Sequence, residues 1–270
     1  PSFRYHIASP HVAFDTTGFD MVEASGAGVL QGSPVAVPLD LHARRVTGAG
    51  DVAGGILANL HVKGMLAVTG KLLTGTDLNV TSDKLTGKLD LKVDLVTGEY
   101  TVLVTGRLAR YFIPGLGLVD VLTELKAVPR PGGHGTLVTG HGHVWVRRFD
   151  NAFLRSLAGG LPEIDTGLSR RPDGSLDLIG LKLKAPAIAL AGNGLRRRDG
   201  TVQIAAAGRQ ARYGPVKLTL DGKIDRPTLD VALARPADSL GLAEVRVHLD
   251  PTAAGFDYRA TGGSTLGPFA

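Results

Sequence analysis

Cysteine is absent from the 270 residues. That excludes disulfides and thiolate metal sites, though it leaves the compartment open. Aromatic residues make up only 5% of the chain, too few to interleave with cations as a stacking platform for nucleic acid. Long apolar runs are also missing. The longest uncharged stretch, Ala24 to Leu39, is broken by Gly, Ser, Gln and Pro, whereas a membrane-spanning helix needs about 20 mostly apolar residues. Charge of one sign does not dominate: 30 basic against 25 acidic residues give a net +5, spread along the chain rather than gathered into a nucleic-acid footprint. What the sequence does hold is 37 glycines and 15 prolines with no collagen period, which excludes long continuous helices and points to short elements joined by turns.

The dominant pattern has period two. Lys88-Leu89-Asp90-Leu91-Lys92-Val93-Asp94-Leu95 alternates charge and aliphatic side chain without a fault. Successive side chains of a strand point to opposite faces, so one face is wholly aliphatic and the other wholly charged; a helix would scatter the same residues around its axis. The parity recurs in Val35, Val37, Leu39 and Leu41, in Val102, Val104 and Leu108, in Val216, Leu218 and Leu220, in Leu229, Val231 and Leu233, and in Val245, Val247 and Leu249. Turn signals punctuate these runs: Thr97-Gly98, Pro131-Gly132-Gly133, Asp173-Gly174, Asp199-Gly200 and Asp221-Gly222, the Asp-Gly pairs reading as type I′ hairpin turns. Short amphipathic strands at this spacing predict an antiparallel all-β protein.

Local departures carry their own expectations. Leu176 and Leu178 share one parity and Leu181 and Leu183 the other, so a bulge is expected at Gly180. Gly-rich Ala24–Gly32 and Gly48–Gly55 read as bends or loops, although Val46 to Leu60 has room for a short strand. Leu116 to Val128 fits both periods, and the flanking Pro114 and Pro129 favour a strand. Asp150-Asn151 can cap a short helix through Phe153, Leu154 and Leu157, ended by Gly159-Gly160.

An aliphatic face on so many strands must leave water. A sandwich buries it against a second sheet, a barrel encloses it, and a sheet curled along its length leaves a trough that must hold something apolar. The low aromatic content and the clean alternation suit a trough, while the sandwich and the barrel remain open on composition alone.

Several stretches carry a family resemblance. Leu85-Thr86-Gly87-Lys88-Leu89-Asp90-Leu91, Thr105-Gly106-Arg107-Leu108-Ala109, Ile113-Pro114-Gly115-Leu116-Gly117, Trp145-Val146-Arg147-Arg148 and the run from Asp150 to Leu157 resemble the periplasmic part of TamB-like proteins of the AsmA-like group, which includes the YdbH-like proteins. Asp199-Gly200-Thr201, Tyr213-Gly214-Pro215-Val216 and Leu220-Asp221-Gly222-Lys223-Ile224 resemble the same group. The resemblance rests on texture over most of the chain rather than on one motif. It implies an elongated antiparallel sheet curled into an open, taco-like hydrophobic groove, with one or two short helices at most. It implies a single segment over residues 1–270, an internal slice of a longer protein, with bends near 129–135 and 158–174. It further implies a periplasmic location, anchorage to the inner membrane by a flanking helix, and non-enzymatic carriage of phospholipid between the two bacterial membranes. The older reading of the group is assembly of outer-membrane β-barrels by strand augmentation, with an outer-membrane BamA-family barrel as partner.

The expected groove lining is Leu89, Leu91, Val93, Leu95, Val102, Val104, Val216, Leu218, Leu220, Leu229, Val231 and Leu233. Neither a cofactor nor a catalytic residue is expected. His134, His141 and His143 are the metal candidates, since imidazoles at i and i+2 of a strand share a face, but no carboxylate lies between them in sequence and no metal is assigned. Arg147-Arg148, Arg170-Arg171 and Arg196-Arg197-Arg198 suit lipid phosphates or, more simply, turns kept soluble. Ser264 lies in neither a nucleophile elbow nor a phosphate loop.

Overall fold

In the computed structural model, residues 88–94 form the strand that their alternation predicts. The charged residues Lys88, Asp90 and Lys92 are exposed, and Leu89, Leu91 and Val93 are half-buried on the other face. The structure describes all residues except 15–16, 48–56, 114–116, 133–134, 151, 224–225, 235, 237–240, 253–255 and 270, and the side chains of 14, 153 and 154. The chain is all-β: among the described residues, eighteen strands are hydrogen-bonded in one antiparallel sheet. They are β1 Ser2–Phe14, β2 Thr17–Val29, β3 Val35–Thr47, β4 Leu60–Thr69, β5 Leu72–Thr81, β6 Leu85–Asp94, β7 Tyr100–Ile113, β8 Gly117–Pro129 and β9 Thr136–Phe149. After the helix α1, Ala152–Ala158, come β10 Glu163–Arg170, β11 Leu176–Lys184, β12 Ile188–Arg196, β13 Val202–Gln210 and β14 Gly214–Lys223. The series ends with β15 Arg226–Leu233, β16 Ala243–Pro251, β17 Phe256–Ser264 and β18 Gly267–Phe269. Among the described residues no helix is long and apolar enough to cross a membrane.

The chain divides into two compact units. One comprises Pro1–Ala109, Leu122–His141 and Ser169–Gly174; the other comprises Arg110–Val121, Gly142–Leu168 and Ser175–Ala270. In the first unit each of β1 to β6 pairs antiparallel with its successor, and the cross-strand register stacks like parities into rungs. One rung runs Val35, Val68, Leu73, Val93 and Tyr100, and the next runs Val37, Leu66, Gly75, Leu91 and Val102. Toward the other end of the strands lies the buried cluster of Ala43, Val46, Leu60, Val62, Leu78 and Val80. In the second unit β11 to β18 form the same kind of meander, and Val216, Leu229, Val231, Ile188 and Leu190 are buried in a cluster that also takes in Leu157 and Ala158 of α1.

One device keeps the aliphatic face continuous where a strand changes phase. Gly180, with φ +60°, takes the left-handed conformation, and the register shifts between Leu178 and Leu181, so both leucines return to the same face. The extra residue leaves one amide outside the ladder, and the Gly180 N–H donates instead to Asn193 Oδ1 on β12 at 2.9 Å. The same arrangement recurs twice with non-glycine residues at positive φ. Asp77 (φ 55°) donates its N–H to Asp90 Oδ1 at 2.7 Å, and Arg110 (φ 52°) donates to Asp120 Oδ1 at 2.7 Å.

The structure corrects four sequence expectations. Ala24 to Gly28 continue β2 rather than looping, because the rings of Tyr5 and Phe3 on β1 lie over Gly26 and Gly28 and supply the packing that glycine lacks. The Asp173-Gly174 and Asp199-Gly200 turns hold only their glycine at positive φ (+88° and +86°). They are three-residue loops, closed at the second by Arg197 N–H to Thr201 O at 2.7 Å, rather than type I′ turns. Asp221-Gly222 lies inside β14, opposite Thr228 and Pro227, and the pairing continues to Lys223 opposite Arg226; the Asp221 carboxylate is held by Arg197. Leu95 lies past the end of β6, in the following turn, and is 54% exposed. The expected strand at 117–129 and the short helix are present, the helix stopping at Gly159 (φ +66°). Asn151 and the Gly48–Gly55 stretch lie outside the described residues.

Candidate functional site: the aliphatic face

The twelve expected lining residues fall into two groups, one in each unit. In the first unit, Leu89, Leu91, Val93, Val102 and Val104 share one face of β6 and β7 by register: Leu89 opposes Val104 and Leu91 opposes Val102. All five are half-buried. Leu89 packs against the buried cluster, but Leu91, Val93, Val102 and Val104 extend past it. The neighbouring strands continue this half-buried surface through Val35, Val37, Val68 and Leu73. The cluster therefore seals the far half of the face and reaches Leu66 and the buried Gly75 of the second rung, while the outermost rung and Val37, Leu91 and Val102 stay half-buried.

Two of the turns at this end of the strands carry exposed aliphatic side chains. Val29 and Leu30 are each 48% exposed, and Leu95 and Val96 are 54% and 67% exposed. The Leu95 N–H donates to Lys71 O at 2.7 Å, which ties the β6–β7 turn to the β4–β5 turn. Hairpin tips are ordinarily polar, because they sit in water. Here exposed aliphatic side chains adjoin a half-buried aliphatic face.

In the second unit the lining is better covered. Val216, Leu229 and Val231 are buried, while Leu218, Leu220 and Leu233 are half-buried. Register brings Leu218 opposite Val231 and Leu220 opposite Leu229.

The opposite, polar face is organised by cross-strand pairs. His11 Nδ1 lies 2.7 Å from Asp20 Oδ1, His143 Nδ1 lies 2.7 Å from Asp165 Oδ1, and His248 Nδ1 lies 2.6 Å from Asp230 Oδ1; His61 pairs likewise with Asp40. The hydrogen bond to Asp230 raises the His248 pKa, and those from His61 and Lys63 lower that of Asp40. Sequence reasoning did not foresee these pairs, since their partners lie on neighbouring strands. The carboxylate that the sequence did not place near His143 comes from β10, together with Glu163, whose Oε2 is 3.9 Å from Nε2. The Trp145 ring lies against His143 with centroids 4.0 Å apart. His134 lies outside the described residues, and among those described no group of three His, Asp or Glu is placed to hold a metal.

Most of the basic candidates are engaged. Arg147 Nε donates to Asp120 Oδ2 at 2.8 Å, and Asp120 is itself only 8% exposed. Arg148 forks onto Asp150 at 2.8 and 3.2 Å, and Arg197 forks onto Asp221 at 2.8 and 3.0 Å. Ser264 serves its own turn, donating to Gly267 O at 2.8 Å and accepting from Leu266 N–H at 3.2 Å.

Compared with known proteins, the chain matches no family model, no curated protein and no solved structure.

Proposed function

We propose that this chain binds the acyl chains of phospholipid on its aliphatic face and passes them along it, with no covalent chemistry. The observation that carries the reading is the half-buried aliphatic end of the face in the first unit, the rung Val35–Val68–Leu73–Val93 together with Val37, Leu91 and Val102 of the next, with exposed aliphatic hairpin tips beside it. An acyl chain laid there leaves water at about 0.8 kcal/mol per buried methylene, a gain similar to that in a bilayer, so transfer between the two is nearly neutral and needs no deep site. The texture resemblance to TamB-like proteins supports the same reading and supplies its setting: the periplasm, between an inner-membrane anchor and the outer membrane.

Native mass spectrometry of the chain purified from bacterial membranes tests it. Co-purified phospholipid is expected, together with its loss in Leu91→Arg, which places a cation at that half-buried end, while far-UV circular dichroism stays that of a β-sheet. A folded chain that carries no lipid refutes carriage. A bound client strand in place of lipid favours the barrel-assembly reading.

A further inference from the structure

The hairpin joining β12 to β13 places a cation on the aliphatic face. Residues 190, 192 and 194 of β12 share the inward parity with Leu181 and Ala206, so Arg196, two positions on, shares it too. Its rung runs Leu176, Arg196, Val202 and Gly222, and Val202 is buried. Arg196 is half-buried, and its Nη2 is fully buried with no hydrogen-bond partner. A guanidinium nitrogen removed from water without an acceptor is costly, because its desolvation is not offset.

The carboxylates of this corner are already committed. Asp199 accepts from Thr201, through N–H at 2.9 Å and Oγ1 at 2.7 Å, and Asp221 is filled by the fork from Arg197. Arg198, at the tip, is exposed. One rung inward lie Leu178, Gly194, Ile204 and Leu220, all half-buried, with Ile204 and Leu220 resting on the buried cluster by one side. The corner thus sets a guanidinium whose buried Nη2 has no hydrogen-bond partner among the described residues at the border of an aliphatic surface.

We propose that Arg196, assisted by Arg198, binds the phosphate of a lipid whose tail lies along the Ile204–Leu220 rung. This deepens the acyl-carriage reading and rests on it: it adds selection for an anionic phosphate headgroup at one hairpin corner. Arginine suits the task, because its planar fork matches two phosphate oxygens and is always charged.

The test measures binding of two single-tailed probes with the same oleoyl chain, lysophosphatidate and monoacylglycerol, to the full 270-residue chain, with inorganic phosphate as competitor. Lysophosphatidate is expected to bind about 10- to 100-fold more tightly, the size of one charge-assisted hydrogen bond. Arg196→Gln is expected to abolish that preference while leaving monoacylglycerol affinity unchanged, which also shows that the variant is folded. Arg196→Lys keeps the charge but not the fork and is expected to retain part of the preference. Millimolar inorganic phosphate is expected not to compete, since it lacks the tail. Equal affinities in the wild type, or a preference that survives Arg196→Gln, overturn the headgroup site and leave carriage standing. Binding of neither lipid overturns both. Arg196-dependent binding of inorganic phosphate without lipid binding overturns the lipid source and carriage together.

Discussion

Leu78 and Leu91 sit on the same aliphatic face of the first unit, and the structure assigns them opposite energetic roles. Leu78 is 1% exposed at the centre of the buried cluster. Glycines on both sides give it room: a Cβ on Gly64 would come within 2.6 Å of Leu78 Cδ2, and one on Gly75 within 2.9 Å of Cδ1. Truncating Leu78 removes its transfer energy and opens a cavity that the rigid sheet cannot close, so Leu78→Ala is expected to cost about 3–5 kcal/mol. Leu91 is half-buried and outside the cluster. Leu91→Ala removes about three methylene equivalents from a partly wet site and leaves no closed cavity, for about 1–1.5 kcal/mol. Gly64→Ala alone forces its methyl into Leu78 and is expected to cost about 1–3 kcal/mol. Combined with Leu78→Ala, the added methyl falls into the vacated space, so the pair is expected to cost less than its parts. Urea titration followed by far-UV circular dichroism reads all four variants. If Leu91→Ala costs as much as Leu78→Ala, this end of the face is sealed and the binding surface does not exist.

Two further predictions concern the polar side of the sheet. Asp120→Ala strips the Arg110 amide of its acceptor and releases Arg147, and is expected to cost about 2–3 kcal/mol in the same titration, whereas Asp120→Asn keeps a carbonyl oxygen for the amide and costs less. His248 has its pKa raised, chiefly by the hydrogen bond to Asp230. Its stabilisation is therefore fully present below the ordinary histidine pKa of about 6.5 and is lost as pH rises through the higher folded value. An NMR titration of the imidazole is expected to show Asp230→Asn lowering that pKa; an unchanged midpoint refutes the pairing.

Much of this fold was legible because alternation is a local signal. The charges and leucines of residues 88–93 fix which face is wet, whatever lies alongside. The Gly180 bulge was legible for the same reason: a parity break at a glycine has one economical solution. Other features depend on the neighbouring strand. Gly26 and Gly28 looked like a loop because the rings that cover them belong to β1, more than twenty residues earlier. Asp221-Gly222 looked like a turn because its carboxylate partner, Arg197, lies 24 residues away. The His–Asp pairs were hidden in the same way. Within the expected site, parity identified the aliphatic face but could not say how far the buried cluster reaches along it, since that is decided by which rungs find a covering layer.

Three of the bulges show how sequence maintains that face over strands longer than one phase. A single extra residue would turn every later side chain to the wrong side, so each bulge must be held in register. Asp90, Asn193 and Asp120 each do so by accepting the stray amide of the strand before, at 2.7 to 2.9 Å. Two of these acceptors, Asp90 and Asn193, are exposed, whereas Asp120 is buried and also accepts from Arg147. A buried carboxylate needs such compensation and an exposed one does not. Replacing Asp90 or Asn193 with Ala lets water satisfy the amide, so the register is expected to hold at small cost. At Asp120 water has little access, and the same replacement is expected to loosen the strand where Tyr111 and Ile113 return to the aliphatic face. Hydrogen exchange of the Arg110 amide distinguishes the cases: fast exchange in Asp120→Ala, against near-unchanged protection of β5 and β11 in the other two, is the expected pattern, and uniform loss at all three sites contradicts it.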